Sequence, residues 1–242
     1  MSNREINQPD PFETDYFVNW YDNYRCSLDD LFPSETHYLK EFCYSAENLL
    51  DVGCAVGGMS KIILELNQKI HYEGVDISEK MIDQAKKNYP NIPFYVVDGI
   101  ELPYSDEHFD SVLSFGTLVH EQKWKDLLTE LWRVTSNQLI LDVRLTSEQP
   151  TLSNIKRSFV VDGSNMPYPY VVINSSEFFM FIQDELNGIK SINAYGYWGR
   201  ANEFTTMPDD YSQICMVGLI LKKKPGNIEN KLSFNLPFEV YK

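Results

Sequence analysis

The chain has 242 residues, of which 43% are hydrophobic and 23% are charged, close to the composition of an ordinary globular protein. Its formal net charge of -14 makes nucleic acid an unfavourable partner, because an acidic surface repels a phosphate backbone. The four cysteines and four histidines show no ligand spacing, so neither a metal site nor a disulfide framework is expected.

The N-terminal region, residues 1–44, is predicted to be a polar arm followed by a helical cap. Aromatic residues recur three or four positions apart through residues 12–32, which predicts an amphipathic helix. The first residues lack the apolar core of a secretion signal, and no apolar run is long enough to span a bilayer. We therefore expect a cytoplasmic protein with free thiols and no membrane partner.

In the middle of the chain, short apolar strands alternate with helices. Strands are predicted at residues 48–52, 70–75, 94–97, 109–115 and 138–145. Helices are predicted between them, at residues 59–66, 81–89 and 125–134. This alternation predicts a parallel sheet that is covered by helices on both faces.

The last third of the chain departs from this alternation. Residues 146–174 are rich in proline and are predicted to form an insert with a hairpin of strands 159–161 and 170–173. Two further strands, at residues 189–198 and 212–222, are joined without a helix and must therefore be antiparallel.

The tail, residues 225–242, alternates apolar and polar residues as a strand does. We expect it to dock on the sheet or on a second subunit, so a homodimer is one predicted assembly. The predicted central domain thus runs from residue 45 to residue 224, with the cap before it and the tail after it.

A glycine loop follows the first predicted strand and opens a helix. Gly53, Ala55 and Gly58 fit the pattern Gly-x-Ala-x-x-Gly, in which glycine permits a tight turn and close approach of a ligand. Asp76 ends the next strand, at the distance where dinucleotide-binding enzymes place an acid for the ribose. The loop by itself therefore fits both NAD and S-adenosylmethionine (SAM).

Three acids at successive strand ends favour SAM. Asp51, Asp76 and Asp98 should lie along one rim of the sheet, because the carboxyl ends of parallel strands share an edge. A carboxylate at Asp51 is unfavourable beside a pyrophosphate and favourable beside an ammonium group. The chain also ends in an antiparallel pair and not in a second catalytic domain. An NAD-dependent oxidoreductase remains the alternative enzyme class.

These segments strongly resemble class I SAM-dependent methyltransferases. The resemblance is carried by residues 49–58, 74–78, 97–100 and 102–112, and it covers roughly residues 45–145. Within the family, residues 102–112 are most similar to the subgroup related to ubiquinone-biosynthesis methyltransferases. The resemblance implies an α/β, Rossmann-like, doubly wound fold with a mostly parallel seven-stranded sheet and an antiparallel C-terminal edge pair. The helical cap and a small insert after strand five would be additions to it.

The resemblance also implies that SAM is the cofactor and which residues bind it. Asp76 would accept hydrogen bonds from both ribose hydroxyls, and Asp98 would accept one from the adenine amine. Ile77 and Ile100 would pack on the adenine faces. The implied cofactor-binding set is Asp51, Gly53, Cys54, Ala55, Gly57, Asp76, Ile77, Asp98, Gly99, Ile100 and Phe115.

Methyl transfer needs alignment of the acceptor and exclusion of water more than side-chain chemistry. A base is required only where the acceptor loses a proton, and His120, after the fourth strand, is the candidate. The alternative is that His120 only packs on or caps the next helix. A mild preference for O-methylation rests on this candidate base.

The acceptor is expected to be a small molecule that is held by residues outside the core. Its candidate contacts, each of which has helix packing or edge covering as the alternative role, are Trp20, Tyr21, Tyr24, Tyr168, Tyr170, Trp198 and Arg200. The predicted function is therefore SAM-dependent methylation of a small molecule. A non-catalytic SAM-binding or interaction protein is a further alternative.

Overall fold

The computed structural model describes residues 11–223 and 231–240. Its helices are α1 (Asp15–Asn23), α2 (Pro33–Thr36), α3 (Leu39–Ser45), α4 (Gly58–Leu66), α5 (Glu79–Asn88), α6 (Trp124–Val134) and α7 (Ser175–Glu185). Its long strands are β1 (Asn48–Val52), β2 (His71–Asp76), β3 (Phe94–Val96), β4 (Phe109–Ser114), β5 (Thr135–Thr146), β9 (Ser191–Gly199), β11 (Ile214–Lys222) and β12 (Lys231–Asn235). The short strands are β6 (Phe159–Val160), β7 (Tyr168–Pro169), β8 (Ile173–Asn174) and β10 (Thr205–Thr206).

The main sheet has the strand order β12-β9-β11-β5-β4-β1-β2-β3, with β8 beside β5. Strands β1 to β5 are parallel, whereas β11 is antiparallel to both β5 and β9. The prediction of a mostly parallel sheet with an antiparallel edge pair is therefore confirmed. The predicted count of seven strands is wrong, because β8 and β12 extend the sheet to nine.

The sheet is buried on both faces, as a parallel sheet between helices must be. On β5, Leu139 and Leu141 belong to the core cluster that holds α6 and α7. Ile140, between them, belongs to the opposite cluster with α3 and α4. Alternate residues of a strand point to opposite faces, and each buried Leu or Ile contributes roughly 1.5–3 kcal/mol.

The N-terminal cap differs from its prediction. The helix expected over residues 12–32 is wrong in length, since α1 ends at Asn23. Arg25 then takes a positive φ of 64°, and its carbonyl lies so close to Gly58 that a Cβ there would be 2.5 Å from the oxygen. Contact with the start of α4 therefore ends the helix, where the aromatic periodicity alone would continue it.

The insert forms a hairpin, as predicted, but the strands pair through other residues than predicted. Strand β6 pairs with β7 through Val160 and Tyr168, and β10 adds a third strand to this small sheet. Ile173 lies opposite Leu145 in the main sheet, because β4 has ended there and the flank of β5 is open. The second strand of the hairpin, β7, thus lies just before the predicted residues 170–173, and of these only Ile173 belongs to a strand, in the main sheet.

Strand β12 pairs with β9 in parallel, so the described part of the tail docks on the sheet edge of its own chain. Residues 224–230 and 241–242 of the predicted tail region, and residues 1–10 of the predicted arm, lie outside the described residues. Among the helices that the structure describes, none has the length and apolar character to cross a membrane.

Candidate active site

A cavity of about 530 Å³ opens at the carboxyl ends of β1, β2 and β4. The cap and the insert lie over it, and Phe12 and Phe17 each pack on Tyr168 with 5.4 Å between ring centroids. Ten of the predicted cofactor-binding residues line the cavity: Asp51, Gly53, Cys54, Ala55, Asp76, Ile77, Asp98, Gly99, Ile100 and Phe115. Of the predicted set, Gly57 does not line it, although its neighbours Val56 and Gly58 do.

The glycine loop is held by the backbone of the neighbouring strand. The amides of Gly53 and Cys54 both donate to the carbonyl of Val75, at 2.8 and 3.0 Å. Gly53 has a φ of 83°, and a Cβ there would lie 2.2 Å from Oγ1 of Thr117. Conformation and close approach therefore both require glycine at this position.

The local structure requires a glycine at position 57. Gly57 too has a φ of 83°, and an added Cβ would be 2.7 Å from the ring of Phe94. Gly57 is the N-cap residue of α4, so it lets the chain turn from the loop into the helix. Its place in the motif is thus explained by the turn, without a direct ligand contact.

The carboxylate of Asp76 is fixed at the rim of the cavity. Its Oδ2 accepts from the amide of Ala55 and its Oδ1 from the amide of Ser78, both at 2.9 Å. A carboxylate oxygen can accept more than one hydrogen bond, so this carboxylate fits two neighbouring hydroxyl groups such as a ribose diol. Asp98, on the next strand end, accepts from the amide of Ile100 at 3.2 Å.

Asp51 is the buried acid of the site, with 1% of its surface exposed. Burial raises its pKa to about 7, against the opposing effect of a hydrogen bond donated by the hydroxyl of Tyr72. A cationic group in the cavity would favour the charged form of this carboxylate. The residue is therefore matched to an ammonium group, as the charge argument from the sequence requires.

Cys54 lies in the same loop and is buried. Burial, together with the charges of Asp76 and Asp51, raises the pKa of its thiol well above the ordinary value of 9. The thiol therefore stays protonated at neutral pH, which argues against a role as a nucleophile.

His120 lies in the cavity wall, on the loop after β4. Its Nδ1 is 2.8 Å from the carbonyl oxygen of Pro169. Because a carbonyl only accepts, Nδ1 carries the hydrogen and Nε2 is left without one. Burial among aromatic rings lowers the pKa of His120 to about 4, with Phe12 and Tyr168 at 5.7 and 5.1 Å. The imidazole is thus uncharged at neutral pH.

Of the seven predicted acceptor contacts, the structure places some in the cavity wall and others outside it. Tyr21 and Tyr168 line the cavity. Trp20 and Tyr24 are 38% and 53% exposed and stand outside the lining, as do Tyr170, Trp198 and Arg200. Trp198, near the end of β9, packs on Phe238 of the tail with 5.6 Å between ring centroids.

Phe12 and Arg25 are among the cavity-lining residues that lie outside the predicted site set. Phe12 arrives with the 3₁₀ turn before α1, where Ser78 donates to its carbonyl at 3.1 Å. Arg25 also lines the cavity, and its guanidinium meets Glu35 at 2.7 and 3.2 Å. The positive φ of Arg25 decides this placement, and the sequence carries no signal for it.

Comparisons with known proteins identify the family that the central part of the chain resembles. Residues 50–140 match the family described as "Methyltransferase domain". The chain is 28% identical over 94 residues to the O-methyltransferase rstn1 of Aspergillus nomiae, covering 36% of this chain and 41% of the relative. It is 30% identical over 96 residues to the ajmaline N-methyltransferase of Rauvolfia serpentina, covering 37% and 33%. The chain therefore spans less than half the length of these relatives.

A solved SAM-dependent methyltransferase from Methanosarcina mazei has the same fold, with a TM-score of 0.55 and 19% identity over 81% of this chain and 99% of that one. The predicted Rossmann-like fold is thus confirmed. These matches favour SAM over the dinucleotide alternative. The narrower likeness to ubiquinone-biosynthesis methyltransferases stays a prediction.

Proposed function

Because residues 50–140 form a class I SAM-dependent methyltransferase domain whose cofactor is SAM, we propose that the chain methylates an oxygen atom of a small organic acceptor. The observation that carries the choice of oxygen is the uncharged imidazole of His120 in the wall of the cavity. A hydroxyl acceptor loses a proton as it is methylated, and an unprotonated Nε2 is suited to accept it.

The residues of the rim fit the parts of SAM. Asp76 offers two carboxylate oxygens to the ribose, and Asp98 offers an acceptor to the adenine amine. Asp51 faces the ammonium of the methionine part, and Arg25, beside the glycine loop, faces its carboxylate. This charge pairing is favourable because each side chain has the opposite sign to its partner.

Bound SAM supplies a methyl group that its sulfonium centre already activates. The chain has to bring the acceptor oxygen in line with the S–CH3 bond and exclude water. Phe12 and Tyr168 close the cavity beside His120 and present aromatic faces to the acceptor. His120 would hold the departing proton on Nε2, while the carbonyl of Pro169 keeps the ring in place through Nδ1.

We also propose that the chain acts in the cytoplasm and does not bind nucleic acid. The described cysteines are free, and the net charge is -14. A homodimer stays a prediction, with the edge strand β12 as its candidate contact.

The first test is calorimetric titration with SAM, with its demethylated product and with NAD. We expect affinity in the micromolar range for the first two ligands and none for NAD. NAD binding alone would overturn the cofactor assignment.

The second test uses SAM with a labelled methyl group and matched phenol, carboxylate and amine acceptors. Label in the phenol or carboxylate product supports O-methylation, and label only in the amine product contradicts it. The relative named as an N-methyltransferase makes the amine arm necessary. SAM binding without transfer to any acceptor would favour the non-catalytic alternative.

A further inference from the structure

Three buried charged side chains and the partly buried Arg25 lie beside the cavity, and we name them the buried charge cluster: Arg25, Glu35, Asp142 and Arg144. Arg25 and Glu35 form one ion pair with an N–O distance of 2.7 Å. Arg144 and Asp142, two residues apart on β5, form the other at 2.6 Å. The exposed fractions of Glu35, Asp142 and Arg144 are 0%, 1% and 5%.

The backbone brings the two pairs together. Gly218 on β11 lies opposite Asp142, and a Cβ at Gly218 would be 1.8 Å from the carbonyl oxygen of Ser34. Helix α2 therefore packs with its backbone directly on β11, which places Glu35 near the carboxylate of Asp142. Two carboxylates in one buried region are unfavourable unless cations neutralise them, and the two arginines supply that neutralisation.

The cluster reaches the cavity at two points. Arg25 lines the cavity from the cap. On the other side, Oδ1 of Asp142 accepts a hydrogen bond of 2.6 Å from the amide of Gly116. Gly116 also lines the cavity and has a φ of 71°. It belongs to the loop of residues 115–120, which carries both Phe115 and His120.

Stability alone is a weak reason for such a cluster. Moving charges out of water is costly, and well-packed apolar residues in place of a buried ion pair are often neutral or stabilising. The cluster does hold the loop after β4 in place, because Arg144 fixes the Asp142 carboxylate that accepts from the amide of Gly116. A loop that presents a candidate base must hold its geometry closely, because small displacements reduce turnover strongly.

We infer that Asp142 and Arg144 are positioning residues, which hold the loop of residues 115–120 against the cofactor side of the cavity through the amide of Gly116. The paired Arg25 and Glu35 connect the same cluster to the N-terminal cap. The role of the loop in positioning His120 rests on the proposed function. The contact between Asp142 and Gly116 does not depend on it.

The test compares two double variants that both remove the charges of the pair. Asp142→Asn/Arg144→Met keeps a side-chain oxygen that can accept from Gly116, and Asp142→Leu/Arg144→Met does not. Amide hydrogen exchange is measured over residues 115–120, and affinity for demethylated SAM is measured by calorimetry. Melting temperature controls for a general loss of stability.

We expect the leucine variant to exchange its Gly116 amide roughly tenfold or more faster and to bind the product correspondingly less tightly, because this amide loses its side-chain acceptor. The asparagine variant should keep most of the slow exchange at Gly116 and most of the affinity for the product. Wild-type exchange and affinity in both variants, or equal losses in both, would overturn the inference.

If the leucine variant does not fold, hydrogen exchange in the unsubstituted protein still tests the contact. Rapid exchange of the Gly116 amide there would contradict it. Failure of the proposed function would appear separately, as absence of methyl transfer or of product binding with the exchange pattern intact.

Discussion

The two sides of the cavity are built from different parts of the chain. The proposed cofactor side consists of strand ends and the turns that follow them, with Asp51 on β1, Asp76 on β2 and Asp98 just after β3. The acceptor side consists of side chains from the cap, from the loop after β4 and from the insert, such as Phe12, His120 and Tyr168.

The difference lies in what fixes each residue. On the cofactor side, hydrogen bonds from backbone amides set the geometry, as those from Ala55 and Ser78 to the carboxylate of Asp76 do. On the acceptor side, the ring of Phe12 packs on that of Tyr168, more than 150 positions further along the chain. We therefore expect cofactor binding and turnover to respond separately to substitutions on the two sides.

The largest expected effect is on turnover. His120→Ala should reduce kcat by roughly 10²–10⁴-fold, the usual contribution of a general base, and leave the affinity for SAM nearly unchanged. Rapid-quench or steady-state methylation assays with calorimetry would measure both quantities. The matched control is His108→Ala, because His108 is exposed and lies outside the cavity. An unaltered kcat would remove His120 as the base.

The dependence of kcat on pH in the unsubstituted enzyme is a second test of His120 as the base. A buried imidazole with a pKa of about 4 stays unprotonated throughout the neutral range. The acid limb of kcat that belongs to His120 should therefore lie near pH 4 and not near the ordinary value of 6.5. Stability should also fall as pH drops from about 6.5 to about 4, because the unfolded chain binds the proton more readily.

The next largest effect is expected on the cofactor side. Asp76→Ala should weaken SAM binding by ~10–100-fold, because the ribose hydroxyls and the amide of Ala55 lose a charged acceptor. Calorimetry on the folded variant measures the affinity, with Asp83→Ala on the exposed face of α5 as the control. Unchanged affinity would contradict the assigned ribose site.

A several-fold effect is expected on the acceptor side. Tyr168→Ala should raise the KM of the acceptor several-fold, since aromatic contacts with the cavity contribute ~0.5–1.5 kcal/mol each. The control is Trp198→Ala, because Trp198 packs on Phe238 and stands outside the cavity lining. A larger change in KM for Trp198→Ala than for Tyr168→Ala would place the acceptor at the sheet edge.

The smallest effect concerns the charge of Asp51. Its pKa is raised to about 7, so SAM affinity should increase as pH rises through 7 and the carboxylate becomes charged. Tyr72→Phe removes a hydrogen bond that favours the charged form, and should move this increase to higher pH, with a few-fold weaker affinity at pH 7.

Adenosine is the control ligand, because it lacks the methionine part and its affinity should not depend on the charge of Asp51. If the affinity of SAM were equally independent of pH in both proteins, Asp51 would not face the ammonium group.

Much of the cofactor side could be predicted from local sequence. The strand ends, the glycine positions and the three acids all lie within about fifty residues, and parallel strands bring their carboxyl ends to one edge. The acceptor side could not be predicted in this way. Only Tyr21 and Tyr168 of the seven proposed contacts line the cavity. Aromatic periodicity does not distinguish the inner from the outer face of a short helix such as α1, and local sequence does not specify how the insert and β9 pack.

The sequence by itself determined the alternation of strands and helices, the antiparallel edge and the cofactor rim, because each rests on hydrogen bonding and periodicity between near neighbours. Only the tertiary structure decided where α1 ends, which side of β5 receives Ile173, and which charges surround the loop after β4. These features depend on contacts between distant segments, such as Arg25 on Gly58 and Ser34 on Gly218, which local pattern does not specify.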